Sequence, residues 1–253
     1  MLSRKKKILL VIALVLAMAM LAGCSPAMDT TSTADLKEGN FFKRYLVYPL
    51  SLSLDTIADT LWGQYGLSIL VVTIVIRFLV LPLNLKQYRS TKAMQKLQPE
   101  IEKLKKKYKD DAKKQQEETM KLFQLHNVNP LAGCFPLIIQ MPILFALYYA
   151  IVGNPEIREH SFLWLQLGSK DPYYILPVLA ALTTYIQQKV MSKYQPPNPQ
   201  MNAIMMIFPV MIFVMSMSFP AAMPLYWVYG NIFTIVQTYF IYGRGSREGG
   251  TSK

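Results

Sequence analysis

Cysteine is nearly missing from this chain, with only Cys24 and Cys134 among 253 residues. No disulfide framework can be built from two, and Cys134, alone in an apolar segment, reads as a small buried hydrophobe. Histidine is as scarce. His126 and His160 lie far apart with no Cys, Asp or Glu at ligand spacing, so no metal site is expected. There is no glycine loop of the phosphate-binding kind, and hence no sign of nucleotide-driven chemistry. HExxH, paired aspartates in an apolar run and a Ser/His couple are absent too, so neither an enzyme nor a bound cofactor is expected. Acidic residues number 15 against 27 basic ones, and none falls in the long apolar runs.

What is present is apolar and basic at once. The chain is 52% hydrophobic with positive mean hydropathy, yet its net charge is +12. A soluble domain of this size rarely combines the two, whereas apolar spans joined by Lys/Arg-rich loops do so naturally. Basic charge by itself would also suit nucleic acid, so its placement has to decide. That placement, described below, gives no specific nucleic-acid reading.

Residues 4–7 are basic and residues 8–20 form a short apolar core, followed by Leu21-Ala22-Gly23-Cys24. This arrangement looks like a bacterial lipobox, in which cleavage falls before the cysteine and the thiol carries a diacylglycerol. The competing reading is an ordinary first membrane helix ending near a cysteine. Small residues immediately before Cys24 and the polar stretch 25–33 favour the lipobox, so residues 1–23 are set aside from the fold.

A bilayer core about 30 Å thick needs roughly 20 helical residues. Four runs qualify: 67–83 with one charge, Arg77, and 127–155, 172–188 and 194–243 with none. The last is long enough for two spans, and Pro220 and Pro224 bracket a turn inside it. Five spans are therefore expected. In 67–83, thirteen Leu, Ile, Val or Phe residues outweigh the arginine, since each favours insertion by about 0.3–0.6 kcal/mol against about 2.5–3.5 for the charge. Residues 86–121 hold twelve basic and six acidic residues, while 154–171 holds two and three. The positive-inside rule puts 84–128, 189–200 and the C-terminus in the cytoplasm. The lipobox separately puts the mature N-terminus outside, and an odd number of spans reconciles the two.

The expected order is a signal peptide (1–23), a lipidated N-terminus with an interfacial helix (24–63) and a first span (64–84). A cytoplasmic helical hairpin (85–128), a second span (129–152) and an extracytoplasmic loop (153–171) follow. Then come a third span (172–190), a cytoplasmic loop (191–200), a fourth span (201–218), an outer turn (219–223), a fifth span (224–242) and a basic tail (243–253). In the interfacial helix, Leu50, Leu54, Ile57 and Leu61 share one face, with Ser51, Asp55 and Asp59 on another. It lies either along the outer membrane surface, anchored by Phe41, Phe42, Tyr45 and Trp62, or against protein. In the hairpin, Met94, Leu97, Ile101, Leu104 and Tyr108 make a helical seam, Pro99 kinks it, and residues 109–111 turn into a second arm. Its basic surface suits anionic lipid, ribosomal RNA or an acidic protein, or it serves only to set topology.

Arg77 is the leading candidate for function, because an ionisable group within a span ordinarily faces the bundle interior or a watery cavity. The alternative is snorkelling toward the cytoplasmic headgroups. Thr73 lies one turn before it. Thr183, Thr184, Gln187 and Gln188 line the third span; Trp227, Asn231, Thr234 and Thr238 share a face of the fifth; Gln140 lies in the second. Each alone is ordinary interhelical glue, but four helices offering polar groups suggest a hydrated groove. With no carboxylate in any span, Arg77 would attract an acidic group from elsewhere. The fourth span is rich in methionine, as packing or as a tolerant surface for varied apolar helices.

Four stretches carry a family resemblance: YGLSILVVTIVIRFLVLPL (65–83), NPLAGCFPLIIQMPI (129–143), FLWLQLGSKDPYYILP (162–177) and FPAAMPLYWVYGN (219–231). Together they resemble the YidC/Oxa/Alb family of membrane protein insertases, in the five-span lipoprotein form of Gram-positive bacteria. The resemblance implies an all-α integral membrane protein whose polar groove opens to cytoplasm and lipid but is closed outside. It implies substrate contacts at Arg77, Thr73, Gln187 and Trp227, with Gln140, Gln188 and Asn231 as further groove residues from the polar pattern. Nascent membrane proteins would pass along the second and fourth spans. The hairpin and tail would meet the ribosome, targeting factors or the Sec translocon, and a single copy is expected to suffice. A chaperone role fits the same groove. A small-solute or ion channel is the alternative, though the short uncharged 219–223 turn gives it no outer mouth.

Overall fold

A computed structural model describes residues 33, 35–109, 111–126, 128, 135–193 and 199–248. The signal peptide, Cys24, Cys134, the loop residues 194–198 and the end of the basic tail lie outside these, and so do the side chains of Met201, Met205, Arg244 and Arg247.

The described chain is mostly helical. A π-helical turn, Lys43–Val47, leads into α1 (Tyr48–Thr60), which has Pro49 in its first turn where a missing N–H costs nothing. The chain reverses at Trp62 and Gly63, both at positive φ, and enters α2 (Tyr65–Lys96). This helix is 32 residues long, against the 64–84 expected for a span. Pro82 does not end it, and it projects beyond the apolar stretch into the basic segment. The break comes instead at Leu97, where α3 (Gln98–Lys107) begins. Pro99 sits in the first turn of α3, and its absent N–H prevents the preceding ladder from continuing. The chain turns at Tyr108 and Lys109, Asp110 lies outside the described residues, and the Asp111 carboxylate accepts from the backbone N–H of Lys114 to cap α4 (Ala112–Leu125).

The remaining helices are α5 (Phe135–Gly153), the short α6 (Pro155–Glu159), α7 (Ile175–Ser192), α8 (Pro199–Ser218) and α9 (Ala222–Glu248). Of the described helices, α2 alone is clearly long and apolar enough to cross a bilayer. The apolar stretches Ile139–Gly153 and Met206–Ser218 are shorter, and α7 and α9 are diluted by Thr, Gln and Asn. Neighbours run α8–α7–α9–α2–α1–α5 by their main contacts. The core, including Ile69, Val72, Leu147, Ile151, Leu176, Met223 and Tyr226, lies toward the end opposite the hairpin. Outward faces are apolar: Leu79 and Phe78 on α2, Ile207 and Val210 on α8, Tyr239 and Phe240 on α9 are all well exposed. An apolar exterior of this extent needs lipid to cover it.

Two expectations need correcting. Of the face of α1 carrying Ser51, Asp55 and Asp59, only Asp59 is exposed to the outside. Ser51, Leu54 and Ala58 are its buried residues, and α1 packs on α2. The polar side turns inward because partners await it there: Asn154 Nδ2 donates to Asp55 Oδ1 at 2.7 Å, and the Tyr65 hydroxyl reaches the same oxygen at 3.2 Å. The second concerns residues 153–171, expected as a plain loop. They contain α6 and a two-stranded hairpin, β1 (Ser161–Phe162) with β2 (Leu165–Gln166), Ser161 opposite Gln166.

These pieces knit one end of the bundle into a cap. Tyr65 Oη donates to Glu156 at 2.6 Å, and Asn154 Oδ1 accepts from the Glu156 and Ile157 amides to cap α6. The amides of Ala221 and Ala222 donate to the carbonyls of Ser169 (2.7 Å) and Leu167 (3.1 Å), fastening the 219–221 turn to the same layer. Gly66 lies so close beneath the Phe162 ring that a Cβ would overlap it. Buried Asp171 takes the Leu176 amide at 2.7 Å and the Tyr173 amide at 3.0 Å, setting a carboxylate at the start of α7 where the helix dipole favours it.

Candidate functional site

Arg77 is carried by the part of α2 that leaves the core. Above it, Ile69, Val72 and Thr73 are buried against neighbouring helices; beside it, Val75, Phe78 and Leu79 face outward. The arginine itself is half-buried and turned toward α9. Its guanidinium lies against Gly230: a Cβ there would stand 2.5 Å from Nη2. Glycine in a helix interior costs about 0.5–1 kcal/mol relative to alanine, and here it gives the cation room. Among the described residues no carboxylate lies within ion-pair distance of Arg77. The ion pairs recorded there belong to the hairpin, Lys121 with Glu117 and Glu118, and His126 with Glu100.

Next to Gly230, Asn231 is buried and ties α9 to α7. Its amide nitrogen is 2.8 Å from Thr184 Oγ1 and 3.0 Å from Thr183 Oγ1. Both hydroxyls donate onward to backbone carbonyls one turn back, Thr184 to Ala180 at 2.6 Å and Thr183 to Leu179 at 2.7 Å. Each threonine thus accepts from Asn231 and donates to its own helix, so its oxygen is used in both directions. Thr183 and Gln187, one turn apart on α7, make no recorded bond to each other. Gln187 meets Met191 Sδ instead at 3.9 Å, and Gln188 is half-buried without a recorded bond.

Gln140 on α5 donates to Tyr226 Oη at 2.7 Å, linking α5 to α9 near the cap. Trp227 is half-buried, its ring tilted against Phe219 at 6.1 Å, and Phe219 meets Tyr148 edge-on at 5.7 Å. Thr73 is fully buried with its hydroxyl bonded to the Ile69 carbonyl at 2.6 Å. Ser216 Oγ on α8 and Gln237 Nε2 on α9 are buried with no partner.

The structure therefore sets Arg77 against Gly230, ties the next residue, Asn231, to Thr183 and Thr184, and joins Gln140 to Tyr226. It records no contact between Arg77 and Thr73, Gln187 or Trp227. The sequence reading missed Gly230 and Tyr226. A glycine interrupting a long helical pattern is a usable signal of close approach, whereas nothing in the sequence distinguishes Tyr226 from its aromatic neighbours. Of the methionines of α8, Met206 is strongly exposed and Met211 moderately so, on the face that also carries Ile207, Val210 and Val214.

A profile of the family described as "60Kd inner membrane protein" matches residues 57–248. The chain is 52% identical over 244 residues to a protein named membrane protein insertase MisCA from Bacillus subtilis (strain 168), covering 94% of this chain and 92% of that one. It is 50% identical to membrane protein insertase YidC 2 of Bacillus anthracis, covering 98% and 100%. A solved structure titled "Active YidC insertase crystal structure with the first transmembrane domain resolved" superposes with a TM-score of 0.65 at 28% identity, covering 80% of this chain and 47% of that one.

Proposed function

This chain belongs to the "60Kd inner membrane protein" family of membrane protein insertases, and from that premise we propose how its residues do the work. It is an integral protein of the bacterial cell membrane that acts on nascent membrane proteins. In our reading, α2, α5, α7, α8 and α9 cross the bilayer with the cap outside and the α3–α4 hairpin in the cytoplasm. The lipid-modified N-terminus begins at Cys24, outside. Between the helices lies a polar groove open to the cytoplasm and to lipid, bearing Arg77 with Thr73, Gln140, Gln187, Gln188, Trp227 and Asn231 on its walls. The hairpin and the tail receive clients from the ribosome and the Sec translocon.

The observation that carries this mechanism is a half-buried arginine turned toward a neighbouring helix with no carboxylate in reach among the described residues. A fixed positive charge left in this state attracts an acidic group of a passing chain. A client's short hydrophilic segment carrying Asp or Glu enters from the cytoplasmic side and is held near the guanidinium. The polar side chains of α7 and α9 replace part of its hydration, and the path through hydrocarbon is shortened. The client's own apolar segment then partitions into lipid along α5 and α8, where exposed Phe145 of α5 and the exposed Ile, Val and Met side chains of α8 meet it. That partitioning supplies the free energy of release. The buried, unpartnered Ser216 and Gln237 support a polar rather than a sealed interior.

Two charges 4 Å apart attract by about 1 kcal/mol in water and about 4 kcal/mol at an effective dielectric constant near 20. A wet groove lies between these limits, so Arg77→Ala is expected to slow insertion of acidic-tailed clients by about tenfold. Arg77→Lys should retain most of the rate. Protease protection of such a client in vesicles measures both. Equal insertion by wild type and a stably folded Arg77→Ala variant would remove the attraction step.

A further inference from the structure

A second crevice plays no part in the mechanism above. It lies between α1, α2 and α5, with a volume of about 340 Å³, inside the range of small-ligand sites. Leu46, Leu50 and Ile57 line it from the α1 side, Val75 and Leu79 from α2, and Ile143 from α5. Ser53 also borders it, but its hydroxyl donates to the Pro49 carbonyl at 2.6 Å, so it offers no free proton. The wall from Val72 to Leu79 runs about 10 Å along α2. An open, mostly apolar groove of this kind, with Tyr45 at its border, starting beside α1 and descending along α2, suits a hydrocarbon chain rather than a headgroup.

The chain's own N-terminus arrives at the same helix. Thr33 Oγ1 donates to Asp55 Oδ2 at 2.7 Å and lies 2.8 Å from Ser51 Oγ, and Leu36 is buried in the core. Thr33 is thus fastened to α1 on the face away from the crevice, since Ser51 and Asp55 lie more than a right angle from Leu50 and Ile57 on the helical wheel, and the chain reaches the crevice itself at Leu46. Nine residues separate Thr33 from Cys24, a reach of about 30 Å when extended. A helix with its side chains is about 10–12 Å across, so the tether is long enough to bring Cys24 round to the mouth of the slot.

We propose that the diacylglycerol carried by Cys24 lays one acyl chain in this crevice and so pins α1 between α2 and α5. The proposal rests on the lipobox reading of residues 21–24. The hydrophobic effect does not choose between this chain and bulk lipid, because lipid tails are as apolar as the slot. What distinguishes it is the tether, which holds it within about 30 Å of Thr33 at all times.

The test uses the full-length protein made in bacteria fed a diazirine-bearing fatty acid, irradiated in isolated membranes and mapped by mass spectrometry of proteolytic peptides. The expected adduct joins the lipidated Cys24 peptide to peptides holding Val75, Leu79 or Ile143, and its mass includes the N-terminal peptide. Val75→Trp, which fills the slot from a partly exposed position, should cut that adduct severalfold while lipidation of Cys24 persists. Tethered adducts scattered over α8 and α9, or only free phospholipid attached at the crevice, would overturn the proposal. An N-terminal peptide with no lipid mass would overturn the lipobox reading and the proposal with it. A client-insertion assay on the same membranes reads the insertase mechanism separately.

Discussion

At the scale of single residues, the bundle interior is organised by a few polar atoms. Asn231 fastens α9 to α7 through Thr183 and Thr184. Interhelical hydrogen bonds within membranes contribute about 0.6 kcal/mol on average and up to about 1.7. Asn231→Ala should therefore lower stability by about 1 kcal/mol, measurable by reversible unfolding in mixed detergent micelles. Because both threonine hydroxyls also donate to their own helix, they are not left stranded, and a loss far above 2 kcal/mol would mean a larger network. Gly230→Ala tests a different contact. Its Cβ would occupy the space of the Arg77 guanidinium, so acidic-tailed clients should insert several-fold more slowly while the unfolding midpoint barely moves. His160 in the cap has its imidazole held below the usual value near 6.5 by burial. The unfolded chain therefore takes up the proton first as pH falls. Stability should decline as pH drops through about 6.5 and level off once the folded form is protonated too. Thermal unfolding between about pH 8 and pH 5 should show this slope in wild type and lose it in His160→Asn.

At the scale of elements, the helices fall into two kinds. The cap-side halves of α2 and α9 pack against neighbours, and the cap ties α1, α6 and the β1–β2 hairpin to them. The α3–α4 pair packs mainly on itself and on the end of α2. Its described buried apolar residues come down to Ile101, with Leu97 at the break, and α4 buries none of its own. Among the described residues its one ion-paired lysine is Lys121, with Glu117 and Glu118, and these exposed contacts are screened by solvent and add little. Few buried contacts mean low local stability. Amides of 98–107 and 112–125 should exchange hydrogen at least a hundredfold faster than those of 68–76 and 224–234 in the same detergent-solubilised protein. Comparable protection in both sets would mean that the hairpin docks on the bundle.

At the scale of the whole molecule, the two ends differ in chemistry. One end is closed by hydrogen bonds and aromatic rings; the other carries the long projection of α2 and a run of lysines. Polar side chains lie between them, and the outward helix faces are apolar. That asymmetry suits a device taking polypeptide in from one side and releasing it sideways. Vesicles containing the purified protein should accordingly hold a potassium gradient as long as empty vesicles do. A steady leak would contradict a closed cap.

The sequence alone determined the membrane class and the family, and it singled out Arg77 as a candidate. It could do so because hydropathy, proline and the sign of loop charge are local properties that survive in any packing. Pro99 marked the α2–α3 break to within two residues, and the turn near Asp111 was legible from its acidic pair. Three things were decided only by tertiary structure. Asp55 faces inward because Asn154 and Tyr65, 99 and 10 residues away along the chain, bring it partners, and Ser51 pairs with Thr33. Residues 153–171 form a helix and a hairpin because they are clasped between the α1–α2 turn and the 219–221 turn. Arg77 meets Gly230, rather than any residue in its own sequence neighbourhood, because helix packing sets which backbone comes close enough to need a glycine.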